Sequence, residues 1–267
     1  MGQEKKPYYK LGTLEKGFKI LELLCEREGM TVSDVAAEVG MQRSTSHRFL
    51  ASLKELGYLV QDVNSNYKCS LKLFELGMKT VNALEIKQVA RPYLKELSGI
   101  YGETINLGYW NGFDIIYLDK IESSAIIRMD LAVGRRIPIY CTAMGKSIFA
   151  FLPDSHQKEI LSSITLKPMG PKTITSKKLL KVELGKIRER GFATDDEELS
   201  ADVRCVAAPV FDHRGLPIYS LSIAGPSIRI KPSMFEKMGG DVARFAKALS
   251  KSLGQKILIG DGAKVNI

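Results

Sequence analysis

The stretch Ser33–Asp62 reads SDVAAEVGMQRSTSHRFLASLKELGYLVQD. It carries two helix signals separated by one glycine. Thr31 or Ser33 can cap a short helix, and Gly40 can close it by supplying a left-handed residue. A second helix runs from about Gln42 to Leu56, with Phe49, Leu50, Leu53 and Leu56 on one face and Gly57 ending it. With Leu50 and Leu53 turned inward, the 100° step per residue puts Ser44, Arg48 and Ala51 opposite, and Thr45 and His47 on the flanks. That outer side is small and polar. From Gln42 to Lys54 there are three basic side chains and no acidic one. A short helix, a tight turn and a helix that starts polar predict a helix-turn-helix, whose second helix offers its N-terminal side chains to base edges in the major groove of double-stranded DNA. Arg43 and Arg48 suit guanine edges or phosphates, Gln42 suits adenine, and Ser44, Thr45 and Ser46 can donate to phosphate oxygens. His47 flanks the same side. An ordinary three-helix core with a solvated basic face would show the same periodicity, so the pattern alone leaves both readings open.

Working outward, Leu14, Phe18, Leu21 and Leu24 predict a helix over about Thr13–Arg27. Two strand-like pieces, Tyr58–Asp62 and Tyr67–Ser70, flank the turn formers Asn64, Ser65 and Asn66. The hairpin would lie as a wing with Lys68 against the DNA backbone. Residues 10–70 therefore read as a winged helix-turn-helix, and Leu71–Leu84 as a linker helix.

Residues 85–253 follow a different rhythm. Helices are expected at about Ile86–Tyr101, Met144–Phe151, His156–Ser162, Lys177–Arg190 and Ser233–Leu253. Strands are expected at Thr104–Trp110, Ile115–Ile121, Ala125–Met129, Phe192–Thr194, Cys205–Phe211 and Ile218–Ala224. Hairpin-linked strands with segregated helices predict an α+β domain with a largely antiparallel sheet. Residues 254–267 yield no reading.

Composition sets bounds on the rest. The chain has 267 residues, 45% hydrophobic and 26% charged, enough for a core of one large domain or two modest ones. Its strongly apolar stretches, such as Ser147–Leu152, fall far short of the roughly 20 residues that cross a bilayer. The opening MGQEKKPYYK lacks a signal-peptide core, and Lys6 breaks the myristoylation pattern. A cytoplasmic protein without membrane partners is expected. The net charge of +9 is spread along the chain, so by itself it does not identify a nucleic-acid-binding segment. Cys25, Cys69, Cys141 and Cys205 are far apart in sequence and no CxxC exists. The three histidines are equally scattered. A metal site or a disulfide framework has no support, and no cofactor is expected.

Two further features carry chemistry. Gly145-Lys146-Ser147 invites comparison with a phosphate-binding loop, but that loop needs a glycine where Tyr140 stands, so nucleotide hydrolysis is excluded. The free amides at Ala143–Gly145 can still hold an anionic or polar ligand atom at the positive end of a helix. In the run Asp195–Glu198, Asp195 is the candidate to pair with a ligand hydroxyl, amine or acid proton, and Asp196 and Glu197 read as a solvated loop. Cys205 as a nucleophile would need a base, and His213 sits at an expected turn beyond a strand, so a pocket-lining thiol is the better reading. Trp110, Tyr117 and Tyr140 read as core or interface residues.

Ser33–Asp62 resembles the winged helix-turn-helix of IclR-family transcriptional regulators. GETINLGYWNGFDIIYLDKIES (102–123), CTAMGKSIFAFLP (141–153), RERGFATDDEELSADVRCVAAPVFD (188–212) and SLSIAGP (220–226) resemble successive segments of the family's effector domain, with Gly191, Asp195, Glu198, Cys205 and Asp212 at the family spacings. The resemblance runs from about Leu14 to Leu253. It implies a GAF-like effector domain, a homodimer or homotetramer on a pseudo-palindromic operator, and a small organic effector such as an organic acid or aromatic metabolite. The effector residues it implies are Ala143, Met144, Asp195, Cys205 and Ser222. Ser46 stands where the family often has an apolar residue, which implies looser packing. Ala224 replaces a serine common in acid-binding members, which points toward a less polar ligand. The competing functions are a ligand-binding module that has lost DNA binding and a cysteine-dependent enzyme.

Overall fold

The computed structural model describes residues 11–82, 85–126 and 132–254. The chain divides into two compact units, residues 1–83 and 84–267.

The first unit contains α1 (Gly12–Cys25), α2 (Val32–Val39), α3 (Arg43–Glu55), the antiparallel strands β1 (Leu59–Gln61) and β2 (Tyr67–Cys69), and α4 (Lys72–Asn82). Thr31, not Ser33, caps α2. Its hydroxyl accepts from the Asp34 amide while the Asp34 carboxylate accepts from the Thr31 amide, a reciprocal box that satisfies two otherwise orphaned donors. Gly40 closes α2 at φ 68°, where a side chain would be strained. Ile20, Leu21 and Leu24 of α1, Val35 of α2, Leu50 of α3 and Leu59 and Tyr67 of the hairpin share one core. The wing turn is held by Asp62, whose carboxylate accepts from the amides of Asn64 and Asn66, with Ser65 at φ 65°. The linker expected over Leu71–Leu84 is helical over Lys72–Asn82, and its last two residues lie outside the described residues.

The second unit contains α5 (Glu85–Tyr101), β3 (Thr104–Trp110), β4 (Asp114–Ile121), β5 (Arg136–Pro138), α6 (Ala143–Phe151), α7 (Asp154–Ser163), α8 (Lys177–Arg190), β6 (Ala193–Asp196), β7 (Val203–Val210), β8 (Tyr219–Pro226), a 3-10 turn at Pro232–Met234 and α9 (Phe235–Ser252). The strands form one antiparallel sheet in the order β5-β4-β3-β8-β7-β6. Helices α5 and α9 cover one face, where Leu94, Leu97, Val242, Phe245 and Leu249 pack on Leu107, Val206, Leu221 and Ile223. The opposite face lies under α6, against which α8 packs, and the two bring Ile148, Phe149, Leu180, Leu184 and Ile187 to the core there. This is the expected α+β domain with an antiparallel sheet.

Of the strand expected over Ala125–Met129, Ala125 and Ile126 lie in a bend and 127–129 fall outside the described residues. The sequence reading missed edge strand β5, whose Arg136-Ile137-Pro138 is too short to show alternation and ends in a residue that cannot donate to a ladder. Of the C-terminal tail, only Gly254 lies within the described residues. No described helix is long and apolar enough to cross a membrane.

Candidate functional site

Gln42 sits at the N-cap of α3 in extended conformation, with no side-chain capping bond, so its amide is free for other partners. Gln42, Arg43, Ser44, His47 and Arg48 are exposed and Thr45 is half-buried. Among the described residues, neither Arg43 nor Arg48 has an acidic partner, and α3 has no acidic residue in its first turn. Two guanidinium groups and a helix N-terminus thus place positive charge on this exposed side, with the Ser44 and Thr45 hydroxyls beside them. Lys68 differs: its ammonium lies 3.2 Å from Asp62, which tempers it. Ser46 is fully buried on the inner side, and its hydroxyl has no hydrogen-bond partner. A phosphate contact from Ser46 is ruled out by that burial.

In the second unit, register assembles a floor. Thr104, Ala224, Cys205 and Asp195 stand in one row across β3, β8, β7 and β6. Asn106, Ser222, Ala207 and Ala193 form the next row, and Gly108, Ser220 and Pro209 the one after. Successive side chains alternate between faces, and the intervening Ile105, Leu107, Val206, Leu221 and Ile223 all belong to the opposite core. On β3, β8, β7 and β6 the face under α6 is therefore small or polar, while β4 brings Ile115 and Tyr117 to its rim. Ser222 accepts from the Asn106 side-chain amide at 3.3 Å, and both are buried.

Helix α6 packs across β3, β6, β7 and β8. Thr142 caps it by accepting from the Gly145 amide at 3.0 Å. That removes Gly145 from the expected ligand donors and leaves the first-turn amides of Ala143 and Met144, which have no acceptor within the helix. The Gly-Lys-Ser sequence is now explained by packing. A Cβ on Gly145 would fall 2.3 Å from the Ile139 carbonyl oxygen. Lys146 is ion-paired with Glu198, and the Ser147 hydroxyl meets that of Ser220 at 2.9 Å. Sequence alone could not reveal these roles, because Glu198 lies 52 residues and Ser220 73 residues from their partners.

The electrostatics of the floor follow from burial. Burial pushes the Asp195 carboxyl up to about 7; the Glu198 amide and the Lys146 ammonium pull the other way, and the Glu198 carboxylate adds to the rise. Burial also raises Glu198 against the pull of Lys146. One Glu198 oxygen is buried with no partner. The thiols of Cys205 and Cys141 are raised by burial, Cys141 to about 12, with Asp195 and Glu198 adding to both. Tyr117 packs in the same cluster, its phenol pushed well up by burial and then by Cys205 and Asp195. Cys205 thus stays a thiol, and His213 is exposed at the β7–β8 turn. Nothing here activates a nucleophile.

Other signature residues serve the frame. Gly191 ends α8 at φ 82°. Asp212 orders the β7–β8 turn by accepting from the amides of Arg214 and Leu216. Asp196 and Glu197 do not form a solvated loop as expected: both pair with Lys172 and Arg204. Tyr140 is structural, donating its hydroxyl to the Lys167 carbonyl at 2.8 Å.

Residues 13–63 match the IclR helix-turn-helix domain, and residues 78–251 match the family described as bacterial transcriptional regulator IclR C-terminal. The transcriptional regulator KdgR of Escherichia coli is 36% identical over 240 residues, covering 90% of this chain and 91% of its own. The crystal structure of the Thermotoga maritima IclR superposes with a TM-score of 0.74 at 34% identity, covering 92% of this chain and 100% of that one. An IclR homolog of Microbacterium hydrocarbonoxydans, solved in complex with 4-hydroxybenzoate, shares the fold with a TM-score of 0.77 at 21% identity over 90% of this chain and 98% of its own. Matches of this extent establish that the chain belongs to the IclR family: it is a DNA-binding transcriptional regulator, not an enzyme, whose C-terminal domain binds an effector.

Proposed function

We propose that Gln42, Arg43, Ser44, Thr45, His47 and Arg48 enter the major groove of operator DNA while Lys68 holds the phosphate backbone. The observation that carries this is the exposed, acid-free first half of α3, with two guanidinium groups that have no acidic partner among the described residues. Two copies would occupy a pseudo-palindrome, with half-sites about 34–36 Å apart on one face of the duplex. An apolar groove of about 630 Å³ in the first unit, lined by Leu14, Phe18, Leu21, Leu56, Leu73 and Leu76, supports a homodimer or a tetramer of two dimers. Monomers seldom leave such a patch open to water.

The effector seat is the floor around Asp195, Cys205 and Ser222, together with the amides of Ala143 and Met144. A small organic acid or aromatic metabolite fits this chemistry. With its carboxyl near 7, Asp195 can donate to an acceptor or accept from a hydroxyl at neutral pH. The helix end favours a carboxylate. The 4-hydroxybenzoate bound by the Microbacterium homolog has both groups. Ala224 in the Cys205 row keeps the floor less polar than a serine would. Effector binding alters operator affinity only by favouring one arrangement of the dimer, and α4, which leads from the first unit toward the second along the chain, is the proposed lever. The protein would act in the cytoplasm.

Footprinting on the DNA upstream of the chain's own gene tests the reading. A protected pseudo-palindrome, lost on adding an aromatic hydroxy acid or a short organic acid, is the expected result. A protein that gives no salt-dependent shift on that DNA, or whose shift no such acid alters, would overturn it.

A further inference from the structure

Cys25 and Cys69 lie 44 positions apart in sequence, yet the fold sets their sulfur atoms 3.2 Å apart. Sequence spacing gave no sign of this. Cys25 is the exposed last residue of α1, and Cys69 ends the wing strand β2. The juxtaposition is built from several sides. Met30 and Tyr67 exchange both backbone hydrogen bonds, at 3.1 and 2.8 Å, which clamps β2 beside the loop that follows α1. Gly29 lies so close to the wing that a Cβ there would fall 2.8 Å from the Lys68 side chain. The Cys69 sulfur also leans on the Leu21 carbonyl of α1 at 3.7 Å. Both thiols are free.

We propose that Cys25 and Cys69 form a reversible two-electron redox site that takes a hydroperoxide and staples the wing to α1. Cys25, being exposed, reacts first. Its thiolate attacks one peroxide oxygen, the O–O bond breaks, and the other oxygen leaves as water or an alcohol after taking a proton. Cys25 is then a sulfenic acid. The Cys69 sulfur attacks the Cys25 sulfur, the S–O bond breaks, and the leaving hydroxide takes the Cys69 proton and departs as water. Two thiols and one hydroperoxide become one disulfide, water and water or an alcohol. The order follows from burial: burial and the contact with Cys25 push the Cys69 thiol up to about 12, so it stays protonated until its partner is oxidised. Closing from 3.2 Å to the roughly 2.0 Å of a disulfide needs only a small approach of the two side chains. Cys141 and Cys205 are buried in the other unit and serve as internal controls. The bond would fix the strand that carries Lys68.

The full-length reduced chain, treated with hydrogen peroxide, then alkylated and mapped by mass spectrometry without reductant, tests this. The expected product has lost two hydrogen atoms and gives one linked peptide pair containing Cys25 and Cys69, released by dithiothreitol. Cys69→Ser should leave a sulfenic acid on Cys25 that dimedone traps, and Cys25→Ser should give no link. Oxidised wild type should unfold at higher urea concentration than reduced, a difference absent from Cys69→Ala. Free alkylation of both thiols after peroxide, a link to another cysteine or between two copies, or no rise in the urea midpoint would overturn the proposal.

Discussion

Lys146 and Glu198 form an ion pair that joins the fourth residue of α6 to the end of the acidic run that begins in β6, with side chains only 1% and 9% exposed. A charge held this far from water is tolerable only with its partner. Lys146→Met should leave the Glu198 carboxylate buried beside Asp195 without a counter-charge. The expected cost is about 3–5 kcal/mol of stability. The double variant Lys146→Met/Glu198→Gln should recover most of it, because no uncompensated charge remains. Urea unfolding of the three proteins checks both statements; a double variant no more stable than the single one would refute the pairing as the cause.

Asp195 makes stability depend on pH. Its folded carboxyl titrates near 7 against 3.8 as the unperturbed value, so the fold favours the protonated form. Between those values the native state binds more protons than the unfolded state. Stability is therefore full below about 4, falls as pH rises, and levels off above about 7. Asp195→Asn removes this dependence. The variant should gain on wild type as pH rises from 5 to about 7, by at most about 1.4 kcal/mol per pH unit, and hold that gain up to pH 8. Melting temperatures of the two proteins across that range measure it, and a constant difference would contradict the buried acid. Asp195→Ala should also abolish the effector response while operator affinity at fixed salt is unchanged.

The winged helix was legible because its signals are local. Thr31, Gly40 and the Leu50–Leu53 face act within one or two helical turns, and the structure uses each of them. The second unit was legible as elements but not as a surface. Asp195, Cys205, Ala224 and Thr104 become neighbours only through the register of four strands, and strand β8 lies between β3 and β7 although it follows both in sequence. The Lys146 and Cys25 partners were hidden because they lie 52 and 44 residues away in sequence. Asp196 and Glu197 misled because a charge run normally faces water, whereas Arg204 reaches back across the β6–β7 hairpin to bind both. Edge strand β5 was missed because three residues cannot display a period of two.

Ser46 is a local defect in the first core. Its hydroxyl is buried in α3 with no partner, beside the shared apolar cluster. An unsatisfied buried donor costs about 1–3 kcal/mol. Ser46→Ala removes it and also improves helix propensity by a few tenths of a kcal/mol. Protection of α3 amides in hydrogen exchange should rise by about 1 kcal/mol, with operator affinity unaltered since the side chain faces inward. Reduced protection would mean that the hydroxyl has a partner in solution.

Arg48 and Lys68 should differ in how they fail. Arg48 is exposed on α3 with no acidic partner among the described residues, so Arg48→Ala should weaken operator binding by about 1–3 kcal/mol if it forms a bidentate contact with guanine, and should do so more on the operator than on unrelated DNA. Lys68 is already shared with Asp62 at 3.2 Å. Its replacement by Ala should weaken all DNA binding alike and reduce the slope of log affinity against log salt by about 1. Asp62→Asn should then strengthen binding modestly, because it frees the Lys68 ammonium, at some cost to the wing turn that Asp62 also organises. Fluorescence anisotropy on operator and scrambled duplexes at several salt concentrations separates the effects. An Arg48→Ala variant that binds operator as tightly as wild type at fixed salt would remove α3's exposed side from the reading surface.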